Sequence, residues 1–189
     1  FHCNGWCYPW TIPMLNGRTV CLRNIDVKKI FELIEKYDVT HFGGATIILN
    51  MITGAPEADR KKLKNKVYVL TAGAPPPSII FKKMKDLGFE VMHVYGLTET
   101  YGHVTQCAWN DEWNDFDEEK QNEIKARQGV RYPNTEGVTI MDPETMKEVP
   151  RDGKTIGEIM IRGNVVMKGY FKDKASTDKA MSGGWFHTG

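Results

Sequence analysis

Hydrophobic and polar positions change their period along the chain several times, and each change marks an element. Residues 66–72 (KVYVLTA) and 89–93 (FEVMH) are short, β-branched and apolar, which predicts buried strands. Residues 39–42 predict another strand, ended by Gly43 and Gly44, and residues 18–23 (RTVCLR) a further short one. Between them the spacing turns helical. Ile30, Phe31, Leu33, Ile34 and Tyr37 share one face behind Asp26, a good N-cap. Residues 46–52 are mostly apolar and predict a buried helix. Residues 78–87 carry Ile79, Ile80, Met84 and Leu87 on one face after Pro76 and Pro77, which suit a helix start. Strand alternating with helix in this way predicts an α/β fold: a doubly wound, mostly parallel sheet with helices on both faces. A last helix is expected over residues 117–127. Beyond it the pattern shortens to strand-like pieces at 137–141, 147–149 and 156–162, separated by the turn signals Asp142-Pro143 and Asp152-Gly153. This is antiparallel β material, part of a barrel. The division expected is 1–128 for an α/β subdomain and 129–189 for an incomplete antiparallel one.

In open parallel sheets, ligands sit at the carboxyl ends of strands. Two glycine-bearing loops lie at such ends, one at Gly73-Ala74-Pro75 and one at Tyr95-Gly96. The second continues into Leu97-Thr98-Glu99-Thr100-Tyr101-Gly102. Gly96 permits a sharp turn or a close approach of backbone to a ligand. The Thr98 hydroxyl suits a phosphate oxygen, and the Glu99 carboxylate is a hard ligand of the kind Mg²⁺ accepts. Tyr95 offers a flat face for a purine. The plain alternative is a strand end with a tight turn, a capping Thr and a solvated Glu. The helix between the two loops returns the chain to the same sheet edge, so both face one ligand together.

The 189 residues suffice for one sizeable core or two small ones. A net charge of +1 gives no electrostatic footprint for nucleic acid, and no apolar run reaches the roughly 20 residues of a spanning helix. The basic run 60–66 reads as a solvated connection, and the acidic stretch 111–119 as a surface loop. Cys3, Cys7, Cys21 and Cys107 form no Cys-x-x-Cys pair; with His2 they lack a second ligand pair for zinc. Reduced thiols and the absence of a secretory pattern predict a cytoplasmic protein. The opening FHCNGWCYPW is dense in aromatics, and its Gly and Pro predict a shaped loop or helix start beside a cavity. The chain opens in mid-phrase at Phe1 and is expected to be a piece of a longer protein.

Four motifs then stand in order: Ala72-Gly73-Ala74-Pro75, Tyr95-Gly96-Leu97-Thr98-Glu99, Gly157-Glu158-Ile159-Met160-Ile161-Arg162-Gly163, and Gly184-Trp185-Phe186-His187-Thr188-Gly189. Together they resemble the adenylate-forming superfamily of acyl-CoA synthetases, luciferases and peptide-synthetase adenylation domains. The opening His2-Cys3-Asn4-Gly5-Trp6-Cys7-Tyr8, the run Lys125-Ala126-Arg127-Gln128-Gly129-Val130-Arg131-Tyr132 and the run Val165-Val166-Met167-Lys168-Gly169-Tyr170 are similar to acyl-CoA synthetases of short-chain, medium-chain and aromatic acids. The resemblance covers essentially the whole chain and places it in the large N-terminal domain, whose antiparallel part is a distorted barrel.

The resemblance implies a two-step ligase using ATP, Mg²⁺ and coenzyme A. A carboxylate attacks the α-phosphate to give acyl-adenylate and pyrophosphate, and the thiol then displaces AMP. It implies that Thr98 and Glu99 serve catalysis, with Glu99 on Mg²⁺ and Thr98 on phosphate. It implies that Gly73, Ala74 and Pro75 border the adenine on one side and His93, Val94, Tyr95 and Gly96 on the other. His2, Trp6, Gly44 and Ala45 would lie by the acyl group. Relatives carry a phosphate loop upstream and an Asp after the final Gly, together with a C-terminal domain bearing a catalytic Lys. Residues 1–189 alone are therefore expected to be inactive. Where relatives show Pro and Thr, this chain has Thr46 and Ile47, which bears on the acid accepted. Two other readings stand beside this one: a nucleotide-binding α/β module without catalysis, and an adenylating enzyme that loads a carrier protein.

Overall fold

The computed structural model describes residues 3–189. The opening aromatic segment forms two short helices, α1 (Cys3–Trp6) and α2 (Tyr8–Met14). They are broken apart at Trp6 and Cys7, whose φ values are 54° and 68°. Two successive non-glycine residues in the left-handed region cost energy, so the surrounding packing must hold them there. Helix α3 (Val27–Tyr37) starts where expected: the Asp26 carboxylate accepts the Lys29 N–H at 3.0 Å.

The elements that follow are β1 (His41–Gly43), α4 (Thr46–Gly54), β2 (Val67–Thr71), α5 (Ser78–Asp86), β3 (Phe89–Leu97), β4 (Gly102–Gln106), α6 (Glu118–Lys125) and β5 (Val130–Arg131). The first sheet has the order β1-β2-β3-β4-β5, with β1, β2 and β3 parallel and the last two pairings antiparallel. The strand expected over 18–23 does not form. Among the described residues no strand lies beside it, and Cys21, Leu22 and Arg23 are exposed. Alternation alone is insufficient where backbone groups have only water to pair with.

Strand alternation brings Val67 and Val69 of β2 and Phe89 and Val91 of β3 to one face. Phe31 and Ile34 of α3, Leu49 and Ile52 of α4, and Ile80, Phe81 and Met84 of α5 close over them in one core. Each fully buried side chain of this kind contributes about 1.5–3 kcal/mol. Four described helices, α3 to α6, gather on this side. The opposite face carries Tyr68 and Met92, which are 47% and 40% exposed.

The chain leaves this sheet after β5, between Arg131 and Gly137, a few residues beyond the division expected at Gln128. The second sheet, β6 (Gly137–Asp142), β7 (Lys147–Glu148), β8 (Glu158–Arg162) and β9 (Phe186–His187), has the order β7-β6-β8-β9 and is antiparallel throughout. Helix α7 (Lys174–Ala180) precedes β9. Val104 of β4, Ile161 of β8 and Phe186 of β9 form a second core, with Tyr95, Leu97, Val165, Val166 and Met167 packed on it. The two sheets thus share buried side chains at the end of β3.

Candidate active site

The site is built where β3 runs out. Its pairing with β4 shifts register between Tyr95 and Gly96, and β4 crosses there at very short range. A Cβ on Gly96 would lie 1.9 Å from the Gly102 carbonyl oxygen, so only glycine fits. A 3-10 turn, Thr98–Thr100, follows. The Thr100 hydroxyl closes it: its oxygen accepts the Leu97 N–H at 2.9 Å and its proton faces the Leu97 and Gly102 carbonyls at 3.0 and 2.8 Å. Tyr101 then takes φ 55°, a left-handed conformation that redirects the chain into β4. The effect is to present Thr98 and Glu99 on a rigid turn, Thr98 exposed and Glu99 half-buried.

The other expected residues converge on this edge. The Gly44 N–H donates to Leu70 O at 3.0 Å, which brings the start of α4 beside the end of β2. There the Thr46 hydroxyl donates to the Ala74 carbonyl, so the loop bearing Gly44 and Ala45 is bonded to the loop bearing Gly73, Ala74 and Pro75. Gly73 has φ 93° with open space where a side chain would stand. The rings of Trp6 and Tyr8 cover Gly43, at 3.2 and 3.4 Å from the position of a Cβ there. The Thr188 hydroxyl lies near the Tyr95 phenol and donates to Ile159 O at 2.9 Å. Tyr170 O–H donates to Glu99 Oε1 at 3.1 Å. His2 lies outside the described residues. The imidazole of His93 turns into the helix layer, where Nδ1–H donates to Ala126 O at 2.9 Å; only its backbone faces the loops. The Val94 side chain is likewise buried.

Burial pushes the Tyr95 phenol up, opposed in part by the nearby Thr188 hydroxyl. Tyr132 is pushed up to about 12, first by burial and then by Tyr8 and Cys7. His103 packs on Tyr132 with ring centroids 4.9 Å apart. Burial holds His93 and His103 below the usual imidazole range. Both are therefore neutral in the folded state at a pH where the unfolded chain already takes up protons. Stability rises with pH through that window and is lost as pH falls below about 6.5. Denaturation midpoints should drop between pH 7.5 and 5.5. His93→Gln, which keeps a donor for Ala126 O, should flatten the dependence; an unchanged slope would remove His93 from the account.

Among the described residues no cluster of three or more His, Cys, Asp or Glu is placed to hold a metal. Glu99 offers a single half-buried carboxylate on the 3-10 turn. A hollow of about 530 Å³ opens beside Tyr170, lined by Lys168, Lys172 and Lys174. Another, of about 580 Å³ between the start of α3 and α4, carries none of the motifs.

Four residues of the site escaped sequence reasoning as site members. Thr100 was visible only as the last hydroxyl of Thr98-Glu99-Thr100. Thr46 stood out solely as a departure, and Thr188 and Tyr170 only as letters of their motifs. Thr100 acts within three residues, on Leu97 and Gly102, whereas Thr46, Thr188 and Tyr170 act across 28, 29 and 71 residues, which no local spacing encodes.

A family model described as AMP-binding enzyme matches residues 1–171. The chain is 50% identical over its whole length to the peroxisomal acetate/butyrate–CoA ligase of Arabidopsis thaliana, of which it covers 33%. It is 49% identical over its whole length to the acetate–CoA ligase of Humulus lupulus, of which it covers 34%. The chain thus spans about a third of the length of the curated relatives it matches. The solved structure of o-succinylbenzoate–CoA synthetase from Bacillus subtilis with ATP and magnesium ion superposes on all of this chain and 36% of its own, with a TM-score of 0.76 at 21% identity; the likeness is one of fold.

Proposed function

The chain belongs to the AMP-binding enzyme family, and from that premise we propose that it is part of an AMP-forming acyl-CoA synthetase for short- to medium-chain or compact substituted acids. The observation that carries this reading is convergence. Glu99 meets Tyr170 and Ala74 meets Thr46, with Thr188 near Tyr95, so the motifs at 72–75, 95–99, 165–170 and 184–189 gather at one sheet edge. The relatives named for acetate and butyrate favour a small acid and coenzyme A as acceptor.

In this reading the loop Gly73-Ala74-Pro75 and the backbone of His93, Val94, Tyr95 and Gly96 flank the adenine, with the Tyr95 ring as its stacking face. Thr98 donates to phosphate. Glu99 and the phosphates hold Mg²⁺, which supplies charge neutralisation as pyrophosphate leaves. Gly44, Ala45 and the rings of Trp6 and Tyr8 wall the acid. Thr46 ties that wall to the adenine loop, so the acid and the α-phosphate are brought together on one fixed surface. No described helix is long and apolar enough to cross a membrane. Cys21 and Cys107 are free thiols, which suits a reducing compartment; the peroxisomal name of one relative makes peroxisome and cytosol the two to compare by imaging the tagged protein.

Acid-dependent exchange of pyrophosphate into ATP by the full-length enzyme, across a panel of carboxylic acids, tests the reading. Exchange with short acids and a CoA thioester product support it. Nucleotide binding without exchange makes the protein a binding module, and exchange without thioester points to a carrier protein as acceptor.

The acid wall gives a second measurable outcome. Trp6→Ala is expected to move the optimum toward longer chains, because each further methylene buried gains only about 0.8 kcal/mol and length is limited by collision. If Trp6 serves packing alone, stability falls by roughly 3–5 kcal/mol with the chain-length profile unchanged. Measuring both on one variant separates these cases.

A further inference from the structure

We propose that Tyr170 is a positioning residue for Glu99, aiming its carboxylate for metal binding, an inference that rests on the reading of the Thr98–Thr100 turn given above. The strap 163–170 grips residue 99 twice. Tyr170 O–H donates to Glu99 Oε1 at 3.1 Å, and Met167 N–H donates to the Glu99 backbone oxygen at 2.7 Å. The strap is itself held firmly. Val165, Val166 and Met167 pack on the core of Val104, Ile161 and Phe186. The Tyr170 N–H donates to Thr177 Oγ1 at 2.9 Å, and Thr177 donates onward to Asp173 O at 2.7 Å. That contact needs a glycine before Tyr170: a Cβ on Gly169 would stand 2.6 Å from Thr177 Cγ2. Tyr170 is thus fixed from α7, and Glu99 is fixed from Tyr170.

The physical consequence concerns order. A glutamate side chain has three rotatable bonds, and a metal that must itself order them binds more weakly than one that meets a carboxylate already aimed. Tyr170 occupies one oxygen and leaves the other in place for the ion. Removing the phenol keeps the charge of Glu99 and loses only its aim. The loss therefore has a particular signature, in which more metal restores it.

In the full-length enzyme, Tyr170→Phe should raise the half-saturating Mg²⁺ for pyrophosphate exchange about 10-fold, the scale of outer-shell contacts to metal ligands, with kcat at saturating Mg²⁺ within about 2-fold of wild type. Mn²⁺ affinity, read by electron paramagnetic resonance with ATP present and no acid, should weaken by the same factor. Thr177→Val should shift both in the same direction by less. Glu99→Gln should show a loss that Mg²⁺ does not restore. An unshifted metal dependence in Tyr170→Phe, or a lower melting temperature with unchanged Mn²⁺ affinity, overturns the positioning role while leaving the ligase reading intact. Absence of exchange in the wild-type enzyme overturns the ligase reading, and this inference with it.

Discussion

Glu99→Gln in the full-length enzyme is expected to lower acid-dependent adenylation by about 10²–10³-fold, the scale for removing one preorganised charge contact at a reacting centre. Thioester formation from supplied acyl-adenylate should fall far less. The substitution is chosen for what it retains. A glutamine oxygen can still accept the Tyr170 hydroxyl, and the Glu99 backbone oxygen still accepts Met167 N–H at 2.7 Å, so the turn keeps its shape. Only the negative charge goes, and a neutral amide is a poorer partner for Mg²⁺. Charge builds on the departing pyrophosphate in the first half-reaction and not in the second. Equal losses in the two half-reactions would show that Glu99 maintains the fold of the turn instead.

Gly96→Ala is expected to destabilise the protein by more than about 3 kcal/mol and to yield mostly insoluble material. The added methyl would meet the Gly102 oxygen at 1.9 Å and the His103 Cα at 2.5 Å. Both are backbone atoms of a paired strand, so neither can swing aside as a side-chain tip does. Gly54→Ala is the control. It closes α4 with nothing within 4 Å of the new methyl, and helix propensity there predicts a gain of at most about 1 kcal/mol. A Gly96→Ala variant with a wild-type urea midpoint would contradict the close crossing of β3 and β4.

The first sheet was legible because its parallel strands are short apolar runs bounded by Gly and Pro, and because α3 and α5 carry clear apolar stripes. β4 was not. Its sequence, GHVTQ, holds one aliphatic side chain, and its burial comes from lying between β3 and β5. Helix α7 has no buried residue, so no apolar stripe announces it; Asp173, which accepts the Ser176 N–H at 2.9 Å, was its one local signal. β9 is two residues long and exists through its pairing with β8. The motif residues were readable as letters. That Thr188 bonds Ile159, or that Tyr170 holds Glu99, follows from how the second sheet folds back, and that is long-range information.

The core shared by Val104, Ile161 and Phe186 has a consequence for how such proteins exchange segments during evolution. The natural place to recombine two relatives is the link between the sheets, near residues 132–136. A crossover there would preserve every letter from Tyr95 to Gly102 and still replace the partners that shape it, because Met167, Tyr170 and Thr188 all lie on the far side. The stretch from Glu99 to Tyr170 is instead expected to exchange only as one block, since its two ends are bonded to each other.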